Sequence, residues 1–453
     1  MTFHLDQRKR VLLVLVLGIG SAVAAWLSTP RRTAARREGG PLVIALAGDA
    51  AVSMPLDFTD PGLQGVSALL HRASLAVANF EASAPAAPFP DEPEGPPRWP
   101  FAVPEAAAHL RQLGIGAVSL ANNHAFDFGA DGLRAVQERL AASGIAHAGA
   151  GENLDAARQP AYVETPQGTV ALIAVAVSHA PGARATPRKG DINGRPGVNP
   201  LRYSRRLTVD APSFAALRKA FPPDVLRADP GGATWNLFGV TIEQGDQSAM
   251  TLVADPEDLA SLAASVQAAR GRAVAVVVSL HAHEPGNRID DVPDLLRAIA
   301  RGAIDAGADA VSGHGPHRLR GVEIYRAKPI FYSLGNLVFA DRAIPPQAAD
   351  EFENMARNVL SPFADDSEGP QVDFTGDVWW QSAIALVHFS RGHVARVELH
   401  PVDVGVGHSP TTRGTPRLAQ PDAAAQILDR LQMLSAPLGT TIAVEHGTGI
   451  VKE

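Results

Sequence analysis

Cysteine is absent from all 453 residues. That removes thiol catalysis, disulfide cross-links and thiolate-bound zinc, and leaves His, Asp, Glu and Asn as the side chains able to hold a metal ion. Lysine is scarce beside arginine, which we read as the coding bias of a GC-rich genome and not as a binding signal. An excess of positive charge is missing too. The formal net charge is −7 at pH 7, which argues against bulk attraction to a polyanion and against nucleic acid as a partner. Long apolar runs are lacking with one exception: Val11 to about Leu27, some ~17 residues that follow Arg8, Lys9 and Arg10, at the short edge for a membrane span. The small residues Ser21 to Ala25 offer a cleavage site, so a signal peptide and an uncleaved anchor both fit. Either places the chain in the cell envelope, membrane-anchored or secreted.

What is present is enough apolar surface for a large core. Hydrophobic residues make up 46 % of the chain, which excludes a disordered polymer. The length allows one large α/β domain with insertions or two domains. Residues 28–40, basic and closed by Gly39-Gly40, read as a linker, and the folded part begins at about residue 41. Short continuous apolar runs then suggest strands buried on both faces. Leu42–Leu46 leads to Gly48-Asp49, and Leu75–Ala78 to Asn79-Phe80-Glu81. Ala117–Leu120 leads to Asn122-Asn123-His124. Ala273–Leu280 ends in His281-Ala282-His283-Glu284, and Ala310–Ser312 in Gly313-His314-Gly315-Pro316-His317.

Helical spacing lies between these runs. Leu133, Val136 and Leu140 predict a helix over 131–143 stopped by Gly144, and Leu295, Ile299 and Ile304 another stopped by Gly307. Later strands are expected at 322–325, 330–333, 383–389 and 394–399. Helices alternating with buried strands predict an α/β fold. The main domain is expected over 41–340 with an insertion at about 180–270, and residues 341–453 as a C-terminal αβ extension completing the sheet. Residues 84–100, Pro-rich, and 341–378, polar and acidic, read as loops.

The informative fact is positional. Five strand ends each deliver a metal-competent side chain, and in open α/β sheets the carboxyl ends of strands line the ligand crevice. Asp49, Glu81, Asn123, His124, His281, His283, His314 and His317 mix carboxylate, amide oxygen and imidazole, a set suited to a pair of divalent cations. Each motif has an ordinary explanation alone: a Gly-Asp turn, a loop acid, a polar turn around Gly315-Pro316. Arg195 and Arg202, in a Pro/Gly-rich loop, invite an anionic ligand but read better as solvent-facing. His147 and His179 lie near core strands and are left at most a role in supporting the ligands. The remaining histidines read as ordinary.

The run Asn122-Asn123-His124 with Asp127 and Gly129, the run His314-Gly315-Pro316-His317, and Tyr332-Ser333-Leu334-Gly335-Asn336 resemble those of poly-γ-glutamate capsule biosynthesis (CapA-type) proteins. The resemblance covers roughly residues 42–339, and Arg413-Gly414-Thr415-Pro416 and Leu438-Gly439-Thr440 are similar to one branch of that family. It implies a four-layer αββα sandwich of the metallophosphatase type and a two-metal hydrolase site acting on a phosphoester or an anionic polymer. The ions would be Mn, Zn, Fe or Mg, and a membrane-bound polymer synthase a possible partner. It also implies roles. Asp49, Glu81, Asn123, His281, His314 and His317 would ligate the metals. His124 would be the general acid, oriented by Asp127, and His283, Glu284, Asn79 and Asn336 would support the ligands. Two departures stand out: Ala51 replaces the His of a phosphatase Asp-x-His motif, and His281-Ala282-His283-Glu284 replaces His-Trp-Gly-x-Glu, so either His281 or His283 fits the ligand position. The alternatives are a non-catalytic polymer-assembly or binding component and a metal-dependent hydrolase of γ-glutamyl amide bonds.

Overall fold

The computed structural model describes residues 40–86, 102–180, 182–339, 377–405, 408 and 412–452. The N-terminal apolar run, its linker and most of the loops at 84–100 and 341–378 lie outside these residues. Among the described residues no helix is long and apolar enough to cross a membrane. The chain is a mixed α/β protein built on two large sheets.

The first strand, Leu42–Ala51, is buried along its whole length. That is what a run of Ala, Val, Ile and Leu with no polar alternation requires. It sits inside a ten-stranded sheet. On one side it pairs in parallel with Leu75–Asn79, which pairs in parallel with Ile115–Ser119 and then Ala146–Ala148. On the other side it pairs antiparallel with Gln381–Ser390, with Leu42 opposite Phe389. The short strand Asn336–Phe339 runs parallel to its end, Asp49 opposite Asn336.

The second sheet has six strands, and its centre is parallel: Gly168–Ala176, Ala275–His281, Ala310–His314 and Lys328–Phe331. Its side chains alternate between two cores, as a strand period of two dictates. Val170, Leu172 and Ala174 join the core that also contains the first sheet. Ala171, Ile173 and Val175 join a separate core made with Leu262 and Val266 of the helix Pro256–Arg270 and Leu295, Ile299 and Ala303 of the helix Asp294–Ala306.

The helix signals in the sequence act as expected. The helix predicted over 131–143 occupies Gly129–Ala142, and Gly144 follows it at φ +70°. Gly307 closes Asp294–Ala306 in the left-handed region, where a residue without Cβ pays no steric penalty. Asp255 caps Pro256–Arg270 by accepting from the Glu257 and Asp258 amides. The strand expected at 330–333 is shifted to Lys328–Phe331.

Residues 203–254 lie within the insertion expected at about 180–270, where the sequence shows no clear periodicity in the first half. They form a five-stranded sheet, in order Leu226–Ala228, Thr234–Leu237, Val240–Gln244, Tyr203–Val209 and Ala249–Ala254. The sheet is backed by the helix Ala211–Ala220 over a small core of Val209, Phe214, Leu226 and Ile242. Its outer strand Ala249–Ala254 has exposed apolar residues such as Met250, so the in-out alternation that marks a half-buried strand is blurred.

Candidate metal centre

Register, not chance, assembles the polar residues. Asp49 lies opposite Asn79 on one neighbour and Asn336 on the other. In the second sheet His281 lies opposite His314. The two sheets meet at these carboxyl ends: the Gly315 amide donates to Asp49 Oδ2 at 3.1 Å. Gly315 is at φ +117°, and a Cβ there would stand 2.9 Å from the Ala282 carbonyl oxygen. Glycine is therefore required for this close approach.

Asp49, Glu81, Asn79, Asn122, His281, His314 and His317 are all buried. Asn79 Nδ2 donates to Asp49 Oδ1 at 2.8 Å and to Glu81 Oε2 at 3.2 Å. Asn122 Nδ2 holds Asn79 Oδ1 at 3.1 Å and the Phe80 carbonyl at 2.8 Å. The His317 ring bridges the two acids, with Nδ1 at 3.4 Å from Asp49 and Nε2 at 3.5 Å from Glu81. Asn336 Oδ1 lies 3.0 Å from His317 Nδ1, and Asn336 Nδ2 donates to the His317 carbonyl. His317 itself sits at φ +58°, a conformation that costs a non-glycine residue about 1–3 kcal/mol and persists where the surroundings impose it.

The imidazoles crowd together. His281 Nε2 lies 2.8 Å from Asn123 Oδ1 and 3.1 Å from His283 Nε2, and its Nδ1 lies 3.2 Å from His314 Nδ1. The other nitrogen of His314 is hydrogen-bonded to Ser279 Oγ, and His283 Nδ1 is held by Asn287 Oδ1 at 2.7 Å. Two ligand nitrogens on one tetrahedral zinc stand roughly 3.3 Å apart, so this spacing fits shared cations. Three overlapping sets have ligand atoms within 4.8 Å of one another: Asp49, Glu81 and His317; Glu81, His281 and His283; and Asp49, His281 and His314. Glu81 Oε1 is buried with no hydrogen-bond partner, a costly state that a bound cation relieves. The donors therefore fit a metal centre of imidazole and carboxylate character.

The electrostatics agree with a ligand set. Burial drives the rings of His281, His283 and His314 towards the neutral, ligating form, with His283 lowered to about 3 and His314 to about 4. Burial would raise the Asp49 carboxyl, but the His317 hydrogen bond and the neighbouring rings hold it well below the usual range. Burial and the charge of Asp49 push Glu81 up. Two carboxylates in one dry pocket are what a divalent cation would neutralise.

The remaining expected residues lie at the rim. His124 Nδ1 meets Asp127 Oδ2 at 2.9 Å, and their side chains are 20 % and 21 % exposed. The His124 amide donates to Asn122 Oδ1, which ties this pair to the buried network. Glu284 is turned away from the imidazole cluster and accepts from Ser178 Oγ at 2.7 Å. His283, one of the two rings that fit the ligand position in the sequence, lies beside His281 among the rings. Arg202 is committed to Asp258 and Asp255, and Arg195 donates to the Arg184 carbonyl, so both are structural. The sequence reading did not single out Ser178, Ser279, Asn287 or Arg320. Arg320 is fully buried, and its guanidinium donates to the carbonyls of Glu284 and Gly286 at 2.7 and 3.1 Å.

Comparison with known proteins places these residues in a family context. The profile of the bacterial capsule synthesis protein PGA_cap matches residues 33–341. An uncharacterized protein of Sinorhizobium fredii, y4sH, is 36 % identical over 364 residues, 77 % of this chain and 79 % of the relative. The PGA biosynthesis protein CapA of Bacillus subtilis is 28 % identical over 237 residues, 52 % of this chain and 45 % of that protein. A probable polyglutamine synthesis accessory protein of Mycobacterium tuberculosis is 29 % identical over 238 residues, 52 % of this chain and 48 % of the relative.

Proposed function

The chain belongs to the bacterial capsule synthesis protein PGA_cap family, and from that premise we propose that it is a cell-envelope protein of capsule-polymer biosynthesis with a two-metal hydrolase centre. The two large sheets and their helices are read as a four-layer αββα sandwich of the metallophosphatase type. The N-terminal apolar segment would export or anchor it beside a membrane-bound polymer synthase.

One observation carries the hydrolase reading: His281 Nε2 stands 2.8 Å from Asn123 Oδ1 and 3.1 Å from His283 Nε2, beside a buried Glu81 oxygen that has no hydrogen-bond partner. Asp49, Glu81 and His317 would hold one divalent ion, and Glu81, Asn123, His281 and His283 a second, with His314 between them. His283 supplies the ring that Ala51 does not. Mn, Zn, Fe or Mg bound there would supply Lewis acidity and an activated water. The protein's own groups do the rest. Asp127 holds His124 Nδ1 and so directs proton chemistry to Nε2, where the ring protonates the leaving oxygen. The partial exposure of this pair supports the reading, because a leaving group can reach it.

Phosphoester hydrolysis is the first reading. The names of relatives in polyglutamate-type synthesis favour a γ-glutamyl amide as the second, because the same centre serves amide cleavage. Metal analysis of the purified full-length protein tests the centre: two ions per chain are expected, and fewer than one would sink it. A panel of phosphomonoesters, phosphodiesters and γ-linked glutamate oligomers then separates the substrate classes. On the substrate that turns over, His124→Asn should lower kcat by about 10²–10⁴-fold with metal content unchanged. A variant as fast as the wild type removes the general acid from the scheme.

A further inference from the structure

A cleft of about 820 Å³ opens where the five-stranded sheet meets the end of the strand Gly168–Ala176. Ser178, His179, Arg184, Tyr203, Arg206 and Glu284 are among the residues lining it. It adjoins the metal centre through one side chain. Ser178 Oγ accepts from the His283 amide at 2.7 Å and donates to Glu284 Oε2 at 2.7 Å.

The charges in this cleft are unbalanced. Arg202 also lines it, but Asp258 and Asp255 already neutralise that side chain. The Arg184 guanidinium has no hydrogen-bond or ion-pair partner among the described residues. Arg206 Nε is buried with no hydrogen-bond partner, and its Nη1 stands 3.5 Å from Glu243. Burial and the nearby charge of Arg184 keep His179 neutral. On the side towards the centre stands Glu284, whose nearness raises Tyr203 together with burial. The cleft is therefore lined by two arginines with unused donors and by one carboxylate, Glu284, which Ser178 ties to the His283 amide. A guanidinium fork with vacant N–H groups is a receptor for a planar or tetrahedral oxyanion.

We propose that this cleft is an oxyanion subsite, in which Arg184 and Arg206 receive a carboxylate or phosphate group of the substrate flanking the bond to be cleaved. It deepens the hydrolase reading and rests on it for the word substrate. The Glu284 carboxylate, held by Ser178, disfavours an anion directly beside it.

Calorimetric titration of the full-length protein tests the subsite, with inorganic phosphate and a γ-linked glutamate trimer as probes and the trimer's methyl ester as neutral control. The anionic probes should bind more weakly as salt rises, and the ester should not bind. Arg184→Met and Arg206→Met should each weaken binding of the preferred probe about ten- to a hundredfold, with thermal midpoint and metal content unchanged. Arg184→Lys should restore part of the affinity. Preference for the trimer identifies a carboxylate group and preference for phosphate a phosphoryl group. The same titrations on chelated protein keep the two ideas apart. Arginine-dependent binding that survives chelation supports the subsite even if the centre proves not to be hydrolytic. Wild-type affinity in folded Arg184→Met and Arg206→Met, or no binding of either probe to the wild type, overturns it.

Discussion

Arg320 shows how a single buried residue can govern the centre through the backbone alone, since it also donates to the His283 carbonyl at 3.4 Å. It lies at the heart of the turn that carries His283, and its guanidinium gathers the carbonyls of Glu284 and Gly286. Ser178 and Asn287 fix the same turn through the His283 amide and ring. Arg320→Met should leave those carbonyls unsatisfied, cost about 2–4 kcal/mol of stability and loosen His283. A lowered urea midpoint together with a raised metal dissociation constant is the expected result; an unchanged dissociation constant would free His283 from this control. At this scale the sequence was a partial guide. Asp49, Glu81, Asn123, His281, His314 and His317 are visible because each lies within a few residues of the end of an apolar run. Arg320, Asn287 and Ser178 are not, because their roles depend on the path of a turn that no periodicity encodes. The choice between His281 and His283 as ligand stays open in the sequence, because the direction of His283 depends on that same turn.

Among the elements, the strand ends are positioned by backbone contacts that leave no room for side chains. Gly48 is the clearest case. A Cβ at this position would come within 1.8 Å of the Gly335 carbonyl oxygen, the same oxygen that accepts from the Asp49 amide at 3.0 Å. Gly48→Ala must separate Leu42–Ala51 from the segment before Asn336–Phe339, at a cost of about 3 kcal/mol or more. It should also draw Asp49 out of the cluster. Denaturant unfolding and metal content should fall together, and a variant of wild-type stability would contradict this close approach. Buried strands and long amphipathic helices were readable in the sequence, since their patterns need no knowledge of neighbours. The sheet within residues 203–254 was not. Its core is four residues, and its outer strand exposes Met250, so its pattern carries little of the hydrophobic contrast on which such reading depends.

For the whole molecule, the buried rings set a pH dependence on the metal-free form. Burial holds His283 down to about 3 and His314 to about 4, and lowers His281 well below 6.5. In the unfolded chain these rings take up protons near pH 6.5. Between those limits the unfolded state binds more protons, so stability falls as pH falls. Glu81 opposes this, because burial and Asp49 raise its folded-state pKa and the native form keeps its proton longer. That is one proton against three. The chelated protein should therefore have a lower urea midpoint at pH 5 than at pH 7, and readdition of metal should raise the pH 7 value. A midpoint that climbs on acidification would mean that the acids, not the rings, dominate.

The placement of Leu42–Ala51 has one more consequence. It is the first strand among the described residues, yet its longest neighbour, Gln381–Ser390, comes about 330 residues later in the chain. Until that late segment arrives, a row of amide and carbonyl groups stays bare, an open template for any passing extended peptide. A chain cut where the family match stops, at residue 341, would keep every ligand and lose the strand that covers this edge. The last quarter of the chain thus acts as a guardian of its beginning.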